Sequence, residues 1–417
     1  MLKLSSYLLL SIPVLLVTGP FLSDLALSLI VIFFLVDVIS KKKFYYFQNK
    51  FFYFFVIFYF YLVLNSLFQN QNIDSIKISI TYFRFGIFSL AVIYIIKHDN
   101  QILRKLYFVF FIIFTVLIID GFIQFFYGQN ILGYPLRIGP RVSSFFNDEL
   151  ILGSYLSRLF PVFFALLIFL DKKINKFQYI FSCSIFIFAE VLIYLSGERA
   201  SFLFMNLSAV FTLLAIKNYK KLRLGILLIS LALIFIISLS FPNTKQRVFD
   251  QTFEQMGLFN EKQNVIFSKQ HNDIYKTALN ITKDNLYFGV GVKNFRHKCH
   301  LEKYKISKFS CNTHPHNSYI QLLVELGLVG FFAGLSLLIF ITITVLKHFF
   351  LLIRGKSYFT DFEVCLIAAI LISLWPIVPT GNLFNNWLNI IYYFPVGILL
   401  WSLEKKTKFI KKAIKIE

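Results

Sequence analysis

Apolar runs of roughly 18 or more residues recur from end to end of the chain, each long enough to cross a ~30 Å hydrocarbon layer as helix. Their spacing predicts spans near 6–20, 21–40, 51–68, 78–96, 104–126, 151–170, 177–195, 202–216, 224–241, 318–346, 362–379 and 386–403, the first two abutting at Gly19–Pro20. One long polar stretch, about 242–317, interrupts the series. It ends in THPHNSYIQLLVELGLVG (Thr313 to Gly330), whose polar first half passes directly into an apolar second half. The pattern predicts an all-α polytopic membrane protein with about twelve transmembrane helices. Nine with short loops occupy 1–241, a large loop follows over 242–317, three more helices fill 318–403, and a basic tail covers 404–417.

Composition supports this picture. The chain is 57% hydrophobic and 19% aromatic, more apolar surface than a soluble fold of this size could bury. Lys3 and the run SYLLLSIPVLLV lead straight into further spans with no small-residue cleavage site, so the first span is expected to stay. The formal charge of +21 would suit a polyanionic partner, but its placement argues otherwise. KKK (Lys41 to Lys43), DKKINK (171–176), KNYKKLR (217–223), KHFFLLIRGK (347–356) and the tail EKKTKFIKKAIK fall on every second connection. The intervening short loops QNQNIDSIK, GQNILGYPLRIGPR, GERAS and GNLFNN carry few cations. This bias puts both termini in the cytoplasm and the 242–317 loop outside, facing a periplasm if the membrane is a bacterial inner membrane. Nucleic acid is not expected as a partner; the lipid bilayer is.

The outer loop holds five of the seven histidines (His271, His297, His300, His314, His316), and polar loops of this length are seldom mere connections. Cys183 and Cys365 fall inside spans as small apolar residues. Cys299 and Cys311 lie in the outer loop, where an oxidising compartment favours a disulfide. A metal site is the rival, since HKCH and CNTHPH gather two Cys and four His. Their spacing offers neither CxxC nor HxxxH, and no metal is expected. No inverted repeat of the transporter kind is visible.

Charged groups within spans are costly and are by default paired or functional. Arg84 and Asp120, and likewise Arg158 and Glu190, stand on neighbouring spans and are candidate ion pairs. Arg84 also lies near the outer surface, where it could face a ligand. Three arginines stand on outer loops: Arg199 in SGERAS, Arg141 in GPRVSS and Arg247 in FPNTKQRVFD. Each is a guanidinium placed either to anchor a helix end or to grip a phosphate. Pro315 suits the first turn of a helix, so His316 and Asn317 are expected to project from the first turn of the tenth span. The helix dipole there favours an anion and keeps His316 neutral, able to accept a proton. An interfacial cap without chemistry is the alternative. Gly327, Gly330 and Gly334 form a small-residue face for close helix packing. Gln321 and Glu325 share another face and are expected to bond a neighbouring helix rather than His316.

His316–Asn317, nine residues, Gly327, two residues and Gly330 resemble the histidine motif of the O-antigen ligase and polymerase superfamily. FGVGVKNF (288–295), RVSSFFNDELILGSYL and SGERASFL are similar to its other segments. The resemblance implies a glycan transferase without cofactor or metal at the outer face of the inner membrane. Such an enzyme moves an oligosaccharide or polysaccharide from an undecaprenyl-diphosphate-linked donor to an acceptor hydroxyl, in ligases a sugar of lipid A–core. His316 then resembles the general base, and Arg199, with Arg247 or Arg141, the cations on the diphosphate. His314, Asn317 and Arg84 are further candidates for substrate contact. Where many relatives carry an arginine shortly before FGVGVKNF, this chain has SKQHNDIYKTAL, with Lys269 or His271 nearest.

A ligase is the first expectation, on length and the single large loop. A polymerase joining lipid-linked repeat units is the second. An exporter, from a different class, would spread its polar groups through the spans, whereas here they gather at one face.

Overall fold

The computed structural model describes residues 1–69, 72–137, 141–170, 176–255 and 267–414. Most of the basic connection DKKINK and the last three residues of the tail lie outside the described residues. Among those described, every named element is helical, with only isolated bridges at Gln129–Pro135 and Arg137–Arg141. In chain order these are α1 (Leu2–Leu15), α2 (Pro20–Ser40), α3 (Lys50–Gln69), α4 (Ile73–Thr81), α5 (Phe83–His98), α6 (Ile102–Tyr127), α7 (Leu152–Leu170), α8 (Lys176–Leu195), α9 (Arg199–Ala215) and α10 (Lys220–Ser240). Short helices α11 (Pro242–Lys245) and α12 (Gln251–Gln255) begin the long polar segment, which continues through α13 (Lys269–Asp284) and the single turn α14 (Phe295–Lys298). The chain closes with α15 (Ser318–Ile353), α16 (Asp361–Ser373) and α17 (Asn386–Ile414).

A helix falls on each of the twelve expected spans. Eight stretches are long and apolar enough to cross a bilayer: α2, α3, α4–α5 taken together, α6, α7, α8, α10 and α15. Three of the remaining four are short for that. At ~1.5 Å per residue, α16, with 13 residues, reaches only about 20 Å. Helices α1, with 14 residues, and α9, with 17, are also short. Helix α17 runs on past 403 into the basic tail. The centre of the bundle is α5, buried almost continuously from Phe85 to Ile96 and packed on α17 and α2, while α7 packs on α16 and α9.

Buried charges find partners other than those the sequence suggests. Arg84 does not reach Asp120. Its guanidinium grips Asp24 with two bonds, Nε to Oδ1 at 3.0 Å and Nη2 to Oδ2 at 3.1 Å. Asp120 instead accepts from Ser144 Oγ at 2.6 Å, Asn130 Nδ2 at 3.1 Å and the Ile131 amide at 3.0 Å, tying the 130–144 loop over the end of α6. Arg158 bonds Ser154 Oγ and stacks on Phe204, while Glu190 accepts from Ser230. No ion pair joins Arg158 and Glu190 among the described residues. A neighbouring span thus supplies hydroxyls and amides where a countercharge was expected.

The largest departure is at Gly327. Helix α15 is two limbs, because Gly327 has φ +65° and ψ −162°. A Cβ on Gly334 would lie 2.5 Å from Leu322 Cδ1, although twelve residues span about 18 Å in a straight helix. The chain therefore turns back at Gly327, and the short limb Ser318–Leu326 lies against the start of the long one. Gly330 and Gly334 do permit close approach, but to the short limb of their own helix.

The bend is held by the irregular segment before α14. The amides of Val290 and Gly291 donate to the carbonyls of Val324 (3.0 Å) and Glu325 (2.8 Å), and the Leu328 amide donates to Leu286 O (2.9 Å). Tyr61 Oη donates to Leu326 O at 2.5 Å, and Asn65 Nδ2 to Phe288 O at 2.6 Å. Groups freed by the broken helix are thereby satisfied. Backbone meets backbone here: a Cβ on Gly289 would fall 2.6 Å from Glu325 O and Gly327 N, and one on Gly327 would collide with Tyr287 O and Phe288 N. Val324 and Ile320 of the short limb pack with Ile274, Ala278, Ile281 and Phe295 into a separate small core. Cys299 and Cys311, joined by a disulfide with Cα atoms 5.2 Å apart, close this core on one side. Both their sulfurs lie within 4.8 Å of a His300 ring nitrogen, but sulfurs bonded to each other are not thiolate ligands.

Gly327→Ala should therefore lower the thermal midpoint of the detergent-purified protein. Backbone strain alone costs about 1–3 kcal/mol, and the collision with Tyr287 and Phe288 adds to it. A midpoint equal to that of the parent would show that the bend is not required.

Candidate active site

The loop between α8 and α9 gathers three arginines. Helix α8 ends at Leu195, and α9 starts at Arg199 with Glu198 as its N-cap residue. Glu198 turns away from its neighbour: its carboxylate accepts from the amides of Gly153 (2.7 Å) and Ser154 (3.0 Å) and from Ser201 Oγ (3.0 Å). It thus meets the unpaired N–H groups of the first turn of α7. The guanidiniums are fixed by neutral groups instead. Arg141 Nε donates to Ser196 O at 3.1 Å, and Arg247 Nε to Gly197 O at 3.1 Å. Arg199 Nη1 donates to Gln255 Oε1 at 2.8 Å and Thr252 Oγ1 at 3.3 Å. Gly197 has φ +66°, and a Cβ there would fall 2.7 Å from Arg247 Cδ and Nε, so only glycine lets this side chain lie on the loop.

The three charges act on one another. Burial lowers the proton affinity of Arg141, and the charges of Arg247 and Arg199 add to that effect, with Glu198 opposing. Cations held close by carbonyls and amides, with one carboxylate committed elsewhere, form a site whose repulsion a dianion would relieve.

Beside this cluster stand three histidines. His271 lies in the first turn of α13, where the Ser268 hydroxyl caps the helix and meets His271 Nδ1 at 2.7 Å. Its ring centre is 5.4 Å from that of His316, nearly perpendicular, and the His314 ring lies 4.1 Å from that of His316 at a 50° tilt. The charge of Arg199 reaches His271, which places the arginines and histidines in one electrostatic neighbourhood.

His316 itself is held through its backbone. It adopts φ +57°, and its carbonyl accepts from the Thr380 amide at 2.8 Å and from Tyr275 Oη at 3.5 Å. A histidine fixed in the left-handed region by surrounding bonds is a local strain of the kind that marks functional sites. Pro315 does not open the helix. The N-cap is Asn317, whose Oδ1 accepts from the amides of Tyr319 (3.0 Å) and Ile320 (3.1 Å) while its Nδ2 donates to Pro376 O at 2.7 Å. His316 thus precedes the helix instead of projecting from its first turn, because Asn caps far better than the residues before it. Both ring nitrogens of His314 are engaged, Nε2 with Thr380 O at 3.1 Å and Nδ1 with Thr313 Oγ1 at 3.0 Å. His314 and Asn317 therefore direct their polar atoms at protein groups and position His316 between them.

Burial is the leading cause of a lowered proton affinity at all three rings. His271 falls to about 4, helped by the charges of His316 and Arg199, and His314 falls to about 3, helped by that of His316. His316 is lowered as well, with the Thr380 carbonyl working in the opposite direction. All three are neutral at pH 7. A carbonyl facing one imidazole nitrogen favours the N–H there and leaves the lone pair on the other.

Two candidates lie apart from this group. Arg84 stands with Asp24 at the junction of α4 and α5, outside the arginine cluster. Lys269, at the start of α13, is exposed. Sequence reasoning missed the 374–385 connection, whose Thr380 contacts both His314 and His316 and whose Asn382 meets Gln321 at 2.9 Å. Its signal was the turn-forming PTGN between two apolar runs. Gln321 and Glu325 bond this connection and the α14 segment rather than His316.

A comparison with curated proteins finds no match to the chain. The family model described as O-Antigen ligase matches residues 183–335. That range runs from α8 through the long polar segment to just beyond the bend of α15. It contains Arg199, Arg247, all three clustered histidines, Asn317 and the glycines Gly327, Gly330 and Gly334. Over residues 183–335 the chain is thus similar to the O-antigen ligase family, and its long apolar helices suit a multi-pass membrane protein.

Proposed function

We propose that this protein is an O-antigen ligase acting at the periplasmic face of the inner membrane. It moves a glycan from undecaprenyl diphosphate to a hydroxyl of lipid A–core. The observation that carries the reading is the meeting of Arg141, Arg199 and Arg247 around one loop, with His316 linked to that cluster through His271.

In the reaction His316 takes the proton of the acceptor hydroxyl on its free ring nitrogen. The acceptor oxygen attacks the anomeric carbon as the bond from that carbon to the diphosphate oxygen breaks. Undecaprenyl diphosphate leaves with the electron pair, its added charge met by the three guanidiniums. Attack in line with the leaving group inverts the anomeric centre. Because the arginines supply the countercharge and the histidine the base, the reaction runs on the chain's own residues without a metal.

His316→Ala should fold and bind the donor but lose transfer by about 10²–10⁴-fold, the usual contribution of a positioned base. Full turnover by that variant would remove His316 from the mechanism. Chelation with EDTA should leave wild-type transfer intact, and inhibition reversed by zinc would overturn the metal-free scheme. In cells, gene deletion should leave bare core while lipid-linked polymer accumulates. Core bearing a single repeat unit would point to a polymerase instead, and unchanged lipopolysaccharide would exclude both.

The lowered proton affinity of His316 sets a pH signature. A base whose folded value lies below the ordinary 6.5 remains deprotonated as pH falls through 6.5, and the rate declines only at lower pH. The acidic midpoint of measured transfer should therefore lie below 6.5. An acidic midpoint at or above 6.5 would contradict the buried, neutral histidine.

A further inference from the structure

A second cationic site lies on the other side of the bend. A pocket of about 280 Å³ is lined by Lys77, Thr81, Arg84, Lys293, Asn385 and Asn386, with Pro20 and Ile78 at its rim. Lys77, Thr81 and Arg84 are spaced to share one face of α4 and the start of α5. Lys293 comes from the segment that clasps Gly327, held with φ +55° while the neighbouring Phe295 amide bonds the Glu325 carboxylate at 3.4 Å. Helix α2 begins at Pro20 and helix α17 at Asn386, so two helix N-termini open on the same space. Among the described residues no carboxylate lines it. Asp24 sits behind the wall, where it neutralises Arg84 and accepts from Asn386 Nδ2 at 3.1 Å, leaving Lys77 and Lys293 as the charges that face the pocket. The fields of Asp74 and Glu325 reach Lys293 without either residue lining the space. Cations, amide donors and helix N-termini together specify an anion.

The surroundings say what kind of anion. Phe21, Leu22 and Leu25 of α2 and Ile73 and Ile80 of α4 flank the pocket with exposed apolar side chains, Phe21 at 74% and Ile73 at 67%. A ligand here meets charge at its head and hydrocarbon alongside. The connection that supplies Asn385 and Asn386 is the same one whose Thr380 contacts His316, so one loop joins the pocket to the proposed base.

We infer that this pocket holds a phosphate on the headgroup of the acceptor amphiphile, a site separate from the arginine cluster that takes the donor diphosphate. The assignment of this amphiphile as acceptor rests on the ligase reading above. Arg84 and Asp24 form the rigid wall, and Lys77 and Lys293 make the contact. The pocket orients a phosphorylated glycolipid so that its sugar hydroxyl points at His316.

The test uses the full-length protein in nanodiscs with bisphosphorylated lipid A, its dephosphorylated form and inorganic phosphate as probes. Retention of bisphosphorylated lipid A, read by native mass spectrometry, should weaken about tenfold in Lys77→Gln and further in the double variant with Lys293→Gln. Dephosphorylated lipid should bind weakly and equally to all. In transfer assays KM for the acceptor should rise by a similar factor while KM for the donor stays unchanged. Lys77 is exposed, so its replacement does not threaten the fold. Equal retention of the bisphosphorylated lipid by parent and variants would overturn the proposal. Displacement of that lipid by inorganic phosphate at comparable concentration would overturn it too, showing a free-anion site. Loss of retention in a protein that transfers no glycan would sink the ligase reading and keep the pocket. Unaltered retention with normal transfer would do the reverse.

Discussion

The arrangement of the proposed site depends on one contact between backbones, Gly327 against Gly289. Where they meet, the chain before α14 runs beside the broken helix and takes up the carbonyls of Val324 and Glu325 that the break leaves open. Neither side can carry a Cβ at that point. This contact decides where the limb Ser318–Leu326 goes, and the limb carries the cap that fixes His316 at its outer end. The same segment presents Lys293 to the pocket on the far side. The nine residues between Asn317 and Gly327 are therefore a length of helix, set by the distance between a cap and a bend. The two residues before Gly330 place a second small residue where the limbs touch.

Around that frame the electrostatics are divided. Positive charge is concentrated on three arginines whose hydrogen bonds go to carbonyls, an amide and a hydroxyl, and the carboxylate of Glu198, next to Arg199 in the chain, is spent on the start of α7. The histidines beside them are kept neutral by burial and by one another. A site that is cationic yet holds uncharged imidazoles suits a reaction in which an anion leaves and a proton is taken up. Proximity of the arginines and of a second anion pocket would bring both substrates to one base.

Much of this was legible in the sequence because membrane helices are written in long apolar runs, and all twelve expected runs are helical. Their length was less legible at α16, which ends at Ser373 in a turn that hydropathy averaging does not see. The histidine motif could be located but not shaped. Gly327 reads equally as a packing residue or as a bend, and only a distant segment, Tyr287 to Gly291, makes it a bend. Ion pairs were misjudged for a related reason: Arg84 reaches Asp24, 60 residues away, and Asp120 is satisfied by a loop hydroxyl and amide. Adjacency in sequence order did not reveal those partners. Thr380 was missed because a backbone contact leaves no mark on residue type.

The central claim is that the arginines around Ser196–Gly197 and the histidine at 316 serve one lipid diphosphate. The most direct measurement is a cryo-EM structure of the protein with undecaprenyl diphosphate. The account predicts diphosphate density in contact with Arg199 and with at least one of Arg141 and Arg247, on the side that His316 faces. Density held elsewhere, with the three guanidiniums still bonded only to Ser196, Gly197, Thr252 and Gln255, would contradict it.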